Sequence, residues 1–263
     1  MDLNIKGKVA VVTASSRGLG RATAEALAEE GVNLAICSRD KDKIMETADY
    51  LEAVYEIEVL PFVCDVTDKN SIDKFREAVI KRFNTCHILF ANAGGPPPGK
   101  VEDFTPEDFK HALDLNLMST INMVYAFLPY MKAQEWGRII AAASISVKQP
   151  LPTLALSNVS RVGVVAFIKT LSREIAPFNI TANTIAPGYI MTERVRELLE
   201  NQAKNENLPF ESAFDKLRSS IPAQTIGKPK DFGALCAFLA SDYASYITGD
   251  TILIDGGMNQ GLM

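Results

Sequence analysis

Short apolar runs of strand length alternate along this chain with longer amphipathic stretches, and that alternation restricts the fold more than any other feature. VAVVTA (9–14) precedes RATAEALAEEG, whose final glycine suits a helix cap. NLAICS (33–38) is followed by KDKIMETADYLEAVYE and then by EVLPFVCDV. HILFANAG (87–94) leads into the long stretch EDFKHALDLNLMSTINMVYAFLPYMK. RIIAAAS (138–144) precedes LSNVSRVGVVAFIKTLSREIA and then NITANTIAPG, and ITGDTILIDGG closes the series. Strands that are apolar along their whole length, rather than at every second residue, belong to a parallel sheet covered on both faces. The pattern predicts an α/β fold: a doubly wound, Rossmann-type parallel sheet of about seven strands with helices on both faces. No linker-like or low-complexity segment divides it, so one domain over 1–263 is expected. A closed eight-unit barrel is the competing architecture; the strand count and the first turn argue against it.

That turn reads VVTASSRGLGRATAEALAEE. Gly18 and Gly20 lie between a strand and a helix, where a backbone without side chains can approach a pyrophosphate. The helix behind them offers unpaired N–H groups and the positive end of its dipole. A glycine pair also suits a purely structural turn; the strand–turn–helix context is what points to a dinucleotide.

Composition narrows the partners. A net charge of −5 gives no basic footprint for nucleic acid. No apolar run approaches the roughly 20 residues of a membrane span. The start, MDLNIKGKVAVVTA, enters a strand directly with no secretory n-region, so a cytoplasmic location is expected. Cys37, Cys64, Cys86 and Cys236 form no CxxC pair and read as buried small hydrophobes. With only His87 and His111, no metal-ligand spacing exists.

Seven ordered motifs carry a resemblance. TASSRGLG resembles a TGxxxGxG loop, with Ala14 where the first glycine is usual; ANAG (91–94) resembles NNAG. Asp65 in CDVTD, Asn116 in LDLNLMS and Ser144 in GRIIAAASI fall at further motif positions. NTIAPGYIMTE carries Pro187, Gly188 and Thr192, and ITGDTILIDGG matches a closing strand. Over nearly its whole length the chain resembles the short-chain dehydrogenase/reductases, with a general likeness to the 3-oxoacyl-[acyl-carrier-protein] reductase branch. The resemblance implies a cofactor site built from Thr13, Ser15, Ser16, Arg17, Gly18, Leu19 and Gly20. Ser38, Arg39, Asp65 and Val66 would follow on the adenosine side, then Asn92, Ala93 and Gly94. Arg161, Pro187, Gly188, Ile190 and Thr192 would complete it on the nicotinamide side.

The second strand ends in CSRD. Folds that prefer NAD usually place an acid here for the ribose 2′-OH. Here stand Ser38 and Arg39, with Arg17 aimed at the same neighbourhood, and guanidinium groups suit a 2′-phosphate. Asp40 comes one residue late and suits a helix cap. NADP(H) is therefore the expected cofactor.

In the family the helix after the catalytic serine carries Tyr-x-x-x-Lys on one face. Thirteen residues beyond Ser144 (157 − 144) stands Ser157, and four further on stands Arg161. A phenol ionises near pH 10, whereas an alkyl hydroxyl does so far less readily. Arg161 can supply charge and ribose hydrogen bonds, but a guanidinium is no proton carrier. Tyr189, after the PG pair, is the first surrogate proton donor and Lys148 the second, each with a bland alternative: packing for Tyr189, a solvated surface for Lys148. His111 is about 140° around the helix from Asn116, His87 opens a strand at the wrong end, and Tyr125 faces away. The GGPPPGK loop (94–100) either stiffens a connection or walls the substrate cleft. Residues 193–221 resemble the family's substrate-covering helices, and helices at 110–133 and 154–177 resemble those that pair across subunits, implying a homotetramer. Two functions follow: an NADP(H)-dependent oxidoreductase on a small carbonyl/alcohol pair, with Ser144, Asn116, Ser157, Arg161 and Tyr189 as its catalytic set, or a dinucleotide-binding protein without turnover acting as a sensor or assembly partner.

Overall fold

The computed structural model describes residues 2–262. Strands β1 (Val9–Thr13), β2 (Asn33–Ser38), β3 (Val59–Val63), β4 (Ile88–Ala91), β5 (Gly137–Ala142), β6 (Ile180–Pro187) and β7 (Thr251–Ile254) form one parallel sheet in the order β3-β2-β1-β4-β5-β6-β7. Apolar continuity follows position in the sheet. Every residue of β1, β4, β5 and β6 is buried, whereas β3 and β7, at the two edges, are partly exposed. The expected Rossmann-type architecture with seven strands is what forms.

Helices α1 (Gly18–Glu29), α2 (Lys41–Tyr55), α3 (Lys69–Phe83), α4 (Pro106–Leu113), α5 (Ser119–Ala133), α6 (Ala155–Ile175) and α9 (Pro229–Ala240) cover the sheet. One core joins α1, α2 and α9 to one sheet face around Leu27, Ile44 and Phe232. The other joins α3, α5 and α6 to the opposite face around Phe75, Phe127 and Ile168. Helices α7 (Glu193–Glu206) and α8 (Phe210–Ser219) share only a small cluster of their own, centred on Leu199, Ala203 and Ala213. All four cysteines are free and buried, and all belong to these two cores, Cys236 to the first and Cys37, Cys64 and Cys86 to the second. Among the described residues no helix is long and apolar enough to cross a membrane.

The stretch from Glu107 to Lys132 is not one continuous α-helix. A π-helical turn, Asp114–Met118, separates α4 from α5. The carbonyls that a widened turn leaves poorly bonded are taken by hydroxyls one turn on. Ser119 Oγ donates to Leu115 O, and Thr120 Oγ1 donates to Asn116 O at 2.8 Å.

Candidate active site

The strand order reverses between β1 and β4, and a cleft of about 570 Å³ opens beyond the carboxyl ends of the strands there. Thr13 ends β1 and fastens this junction. Its hydroxyl donates to Asn92 O at 2.6 Å and accepts from Asn92 N at 2.8 Å. Ser15 lies beneath the turn with its hydroxyl on Val12 O and Cys37 O. Gly20 is needed for close approach, because a Cβ there would lie 2.2 Å from Ala14 O. Thr13, Ser15 and Gly20 thus shape the floor from below and are not exposed in the cleft. Ala14 adopts φ +49°, a left-handed conformation that disfavours a side chain. That is why glycine is the usual occupant of this position.

Ser16, Arg17, Gly18 and Leu19 line the cleft above that floor. Gly18 takes φ +59°, and the first turn of α1 carries no acidic side chain to compete for its N–H groups. Thr192, at the start of α7, faces Gly18 from the opposite wall. Asn92, Ala93 and Gly94 also line the cleft, and a Cβ built on Gly94 would meet no atom within 4 Å, so that the space above it is open.

At the β2 end the hydroxyl of Ser38 is occupied by the backbone of Asp40. Asp40 caps α2 by accepting from Lys43 N at 3.1 Å, as its position suggested. Arg17 and Arg39 line the cleft, exposed, and neither makes an ion pair among the described residues. Lys43 lines it as well, a third cation that the motifs do not mark; its place in the first turn after Asp40 was the available signal. Asp65 folds into its own turn, accepting from Thr67 N and Oγ1. Burial raises its carboxyl, but the two Thr67 hydrogen bonds and nearby Arg39 outweigh this and hold it below the usual value. Val66 lies beside it.

Ser144, Ser157, Arg161, Pro187, Gly188, Tyr189, Ile190 and Thr192 gather at the other end of the cleft. Ser144 Oγ accepts from Ser146 N at 3.1 Å, so its own proton is free to point outward. Asn116, on the π-turn, sits just behind: its amide donates to Ser160 Oγ at 2.8 Å, and its carbonyl oxygen is buried without a partner. Arg161 Nη1 donates to Ala142 O at 2.9 Å. Burial, with the nearby charge of Arg194, brings Arg161 down to about 10, which leaves it cationic at neutral pH. Burial raises the Tyr189 hydroxyl, which makes no hydrogen bond among the described residues. Lys148 is exposed and absent from the cleft wall, as is His111, and Tyr125 is 67% exposed. His87 opens the β4 end remote from the cleft, where its Nδ1 accepts from Val9 N at 3.0 Å.

The GGPPPGK loop is stapled to the start of α6 through Gly99 N to Thr153 O and Ala155 N to Gly99 O. Its Gly95 lies against the guanidinium of Arg194, which reaches across from α7. Arg194, Glu193 and Glu197 line the cleft and were not singled out from the sequence, since contact between α7 and the loop after β4 leaves no local pattern.

A family model described as enoyl-(acyl carrier protein) reductase matches residues 13–259, nearly the whole chain. The chain belongs to the short-chain dehydrogenase/reductase family. Dehydrogenase/reductase SDR family member 4 of Oryctolagus cuniculus is 34% identical over 96% of this chain and 94% of its own. The 3-oxoacyl-[acyl-carrier-protein] reductase FabG of Thermotoga maritima is 31% identical, covering 97% of this chain and 99% of its own. Among solved structures, L-sorbose reductase from Gluconobacter frateurii, complexed with NADPH and L-sorbose, superposes with a TM-score of 0.96 at 31% identity, covering 100% of both chains. Ser157 and Arg161, four residues apart on α6, both line the cleft.

Proposed function

We propose that the protein is an NADP(H)-dependent oxidoreductase that reduces a small carbonyl compound, with a proton donor other than the family's tyrosine. The observation that carries the reading is the cleft itself, which has Arg17, Arg39 and Lys43 at one end and Ser144, Arg161 and Tyr189 at the other. The residues present fit the cofactor. Open space over Gly94, a glycine turn at the acid-free start of α1, and three cations beside a strand that ends without an acid suit a dinucleotide with a 2′-phosphate. Arg17, Arg39 and Lys43 would take that phosphate, Gly18 and Leu19 the pyrophosphate, and Asp65 and Val66 the adenine. Asn92, Ala93, Gly94, Pro187, Gly188, Ile190 and Thr192 would surround the nicotinamide half. The NADPH complex of the related L-sorbose reductase supports the same choice. When bound, NADPH supplies the hydride.

The chain's own part is to hold the carbonyl and manage its charge. Ser144 donates a hydrogen bond to the carbonyl oxygen, and the fixed cation of Arg161 favours the negative charge that develops there. Ser157 is too short and too weakly acidic to replace a phenol. Tyr189, like any phenol, carries its proton at neutral pH, and burial raises it further, so it has a proton to deliver to the nascent alkoxide. Asn116, tied to Ser160, fixes the helix that presents Ser157 and Arg161. Helices α7 and α8, with their own small core, form the substrate cover.

NADPH oxidation with 3-oxoacyl thioesters and simple ketones tests the reading, with NADH as comparison. Turnover with NADPH preferred is expected. In Tyr189→Phe the rate should fall by about 10²-fold while NADPH affinity holds; an unchanged rate would remove Tyr189 from the mechanism. Saturable NADPH binding without consumption would favour the sensor or assembly reading.

A further inference from the structure

The nicotinamide end of the cleft concentrates positive charge that no carboxylate in ion-pair reach balances. Arg161 arises from α6 and Arg194 from the first turn of α7, and both line the same wall. Among the described residues neither forms an ion pair, although ten other basic side chains do. Each is held in place by one backbone carbonyl. Arg161 Nη1 donates to Ala142 O at 2.9 Å, and Arg194 Nη2 donates to Pro96 O at 2.7 Å. A Cβ on Gly95 would overlap the Arg194 guanidinium, which packs directly against the loop backbone there. The remaining N–H groups of both forks have no acceptor among the described residues. Glu197 lies one turn along α7 and partly offsets the burial of Arg194, and Glu193 leans toward Gly18 instead.

We propose that Arg194, with Arg161 beside it, forms a subsite for an anionic group of the substrate, so that the carbonyl compound reduced here carries a carboxylate or a phosphate. The proposal deepens the reductase reading and rests on it. Three arguments support it. The charge of Arg194 acts against that of Arg161, and an anion between the two guanidinium groups would offset this repulsion. The planar fork offers paired donors matched to two oxygens of a carboxylate or phosphate, which an ammonium does not. The 2′-phosphate of the cofactor would have its own cations, Arg17, Arg39 and Lys43, at the other end of the cleft. Leu115, Ile145, Leu151, Leu154 and Leu198 line the same cleft and suit a short apolar body behind the charged head.

Matched pairs of probes test this. 4-Oxopentanoate is compared with its methyl ester, and dihydroxyacetone phosphate with dihydroxyacetone, by NADPH oxidation. The anionic member of at least one pair should have a kcat/KM about tenfold or more above its neutral twin, and the pair that shows it tells carboxylate from phosphate. Arg194→Gln should bring that ratio toward one through KM, and Arg194→Lys should restore only part of it. Equal use of charged and neutral twins overturns the subsite and leaves the reductase intact. An Arg194→Gln variant whose NADPH affinity falls as far as its anion preference also overturns it, because the arginine then serves the cofactor. If nothing is turned over, titration calorimetry on the protein–NADP⁺ complex decides separately. Saturable binding of 4-oxopentanoate or dihydroxyacetone phosphate, lost in Arg194→Gln, supports the subsite, and its absence overturns it.

Discussion

At Ser157 the chain presents a short hydroxyl where a phenol would extend into the cleft, and at Arg161 a guanidinium where an ammonium would stand. The two changes differ in consequence. Arg161 still carries a cation to the cleft wall, with its position fixed by Ala142 O, whereas Ser157 cannot take over proton transfer. Restoring the phenol therefore isolates the missing half. Ser157 borders the open volume, so a tyrosine there has room to point into it. Ser157→Tyr should raise the rate by about tenfold or more, since general acid help is typically worth 10² to 10⁴. The gain should persist when Tyr189 is also replaced by phenylalanine. A Ser157→Tyr variant that folds, binds NADPH and turns over no faster would show that proton supply does not limit the reaction. That these two residues would share a cleft with Ser144 was legible in the sequence, because both lie at fixed spacing from it. Arg194 was not, because its partner is a backbone carbonyl 98 residues away, at Pro96.

Elements explain where patterning reaches and where it stops. Continuous apolar runs marked the strands because a parallel sheet buries both faces, and Asp40 marked the start of α2 because its carboxylate closes on Lys43 N. The π-turn at Asp114–Met118 left no such mark: Leu113, Leu115 and Leu117 fit either helix type, and only the hydroxyls of Ser119 and Thr120 hint at freed carbonyls. The joint between β1 and β4 makes a separate prediction. His87 Nδ1 accepts from Val9 N beside Lys8 and the Trp136 ring. Burial first, and Lys8 second, lower its pKa to about 4. Its folded pKa lies below the unfolded value near 6.5, so the unfolded chain binds more protons between these limits. Stability is therefore full above pH 6.5 and falls as pH drops toward 4, by about 1–2 kcal/mol after allowing for partial exposure. Urea midpoints at pH 7 and pH 4.5 measure this, and His87→Gln should shrink the difference; an equal drop in both proteins would assign it elsewhere.

Across the whole molecule, one group of exposed apolar side chains lies on the outer faces of α5 and α6. Tyr125, Val159 and Val162 are exposed there by about half or more, with Met118 at 40% on the π-turn beside them. Isolated apolar residues are ordinary at a surface, but a group of them along two adjacent helices suits a subunit contact. Assembly into a homotetramer through these helices is predicted; sedimentation at the mass of one 28.7 kDa chain would contradict it. The account as a whole stands on hydride transfer within the cleft. The most direct test follows deuterium from NADPH carrying two deuterons at C4 into the panel of 3-oxoacyl thioesters, ketones and oxo acids. The account predicts deuterium on the new carbinol carbon, one for each NADPH consumed. Tight NADPH binding with no deuterium on any carbonyl carbon would contradict it.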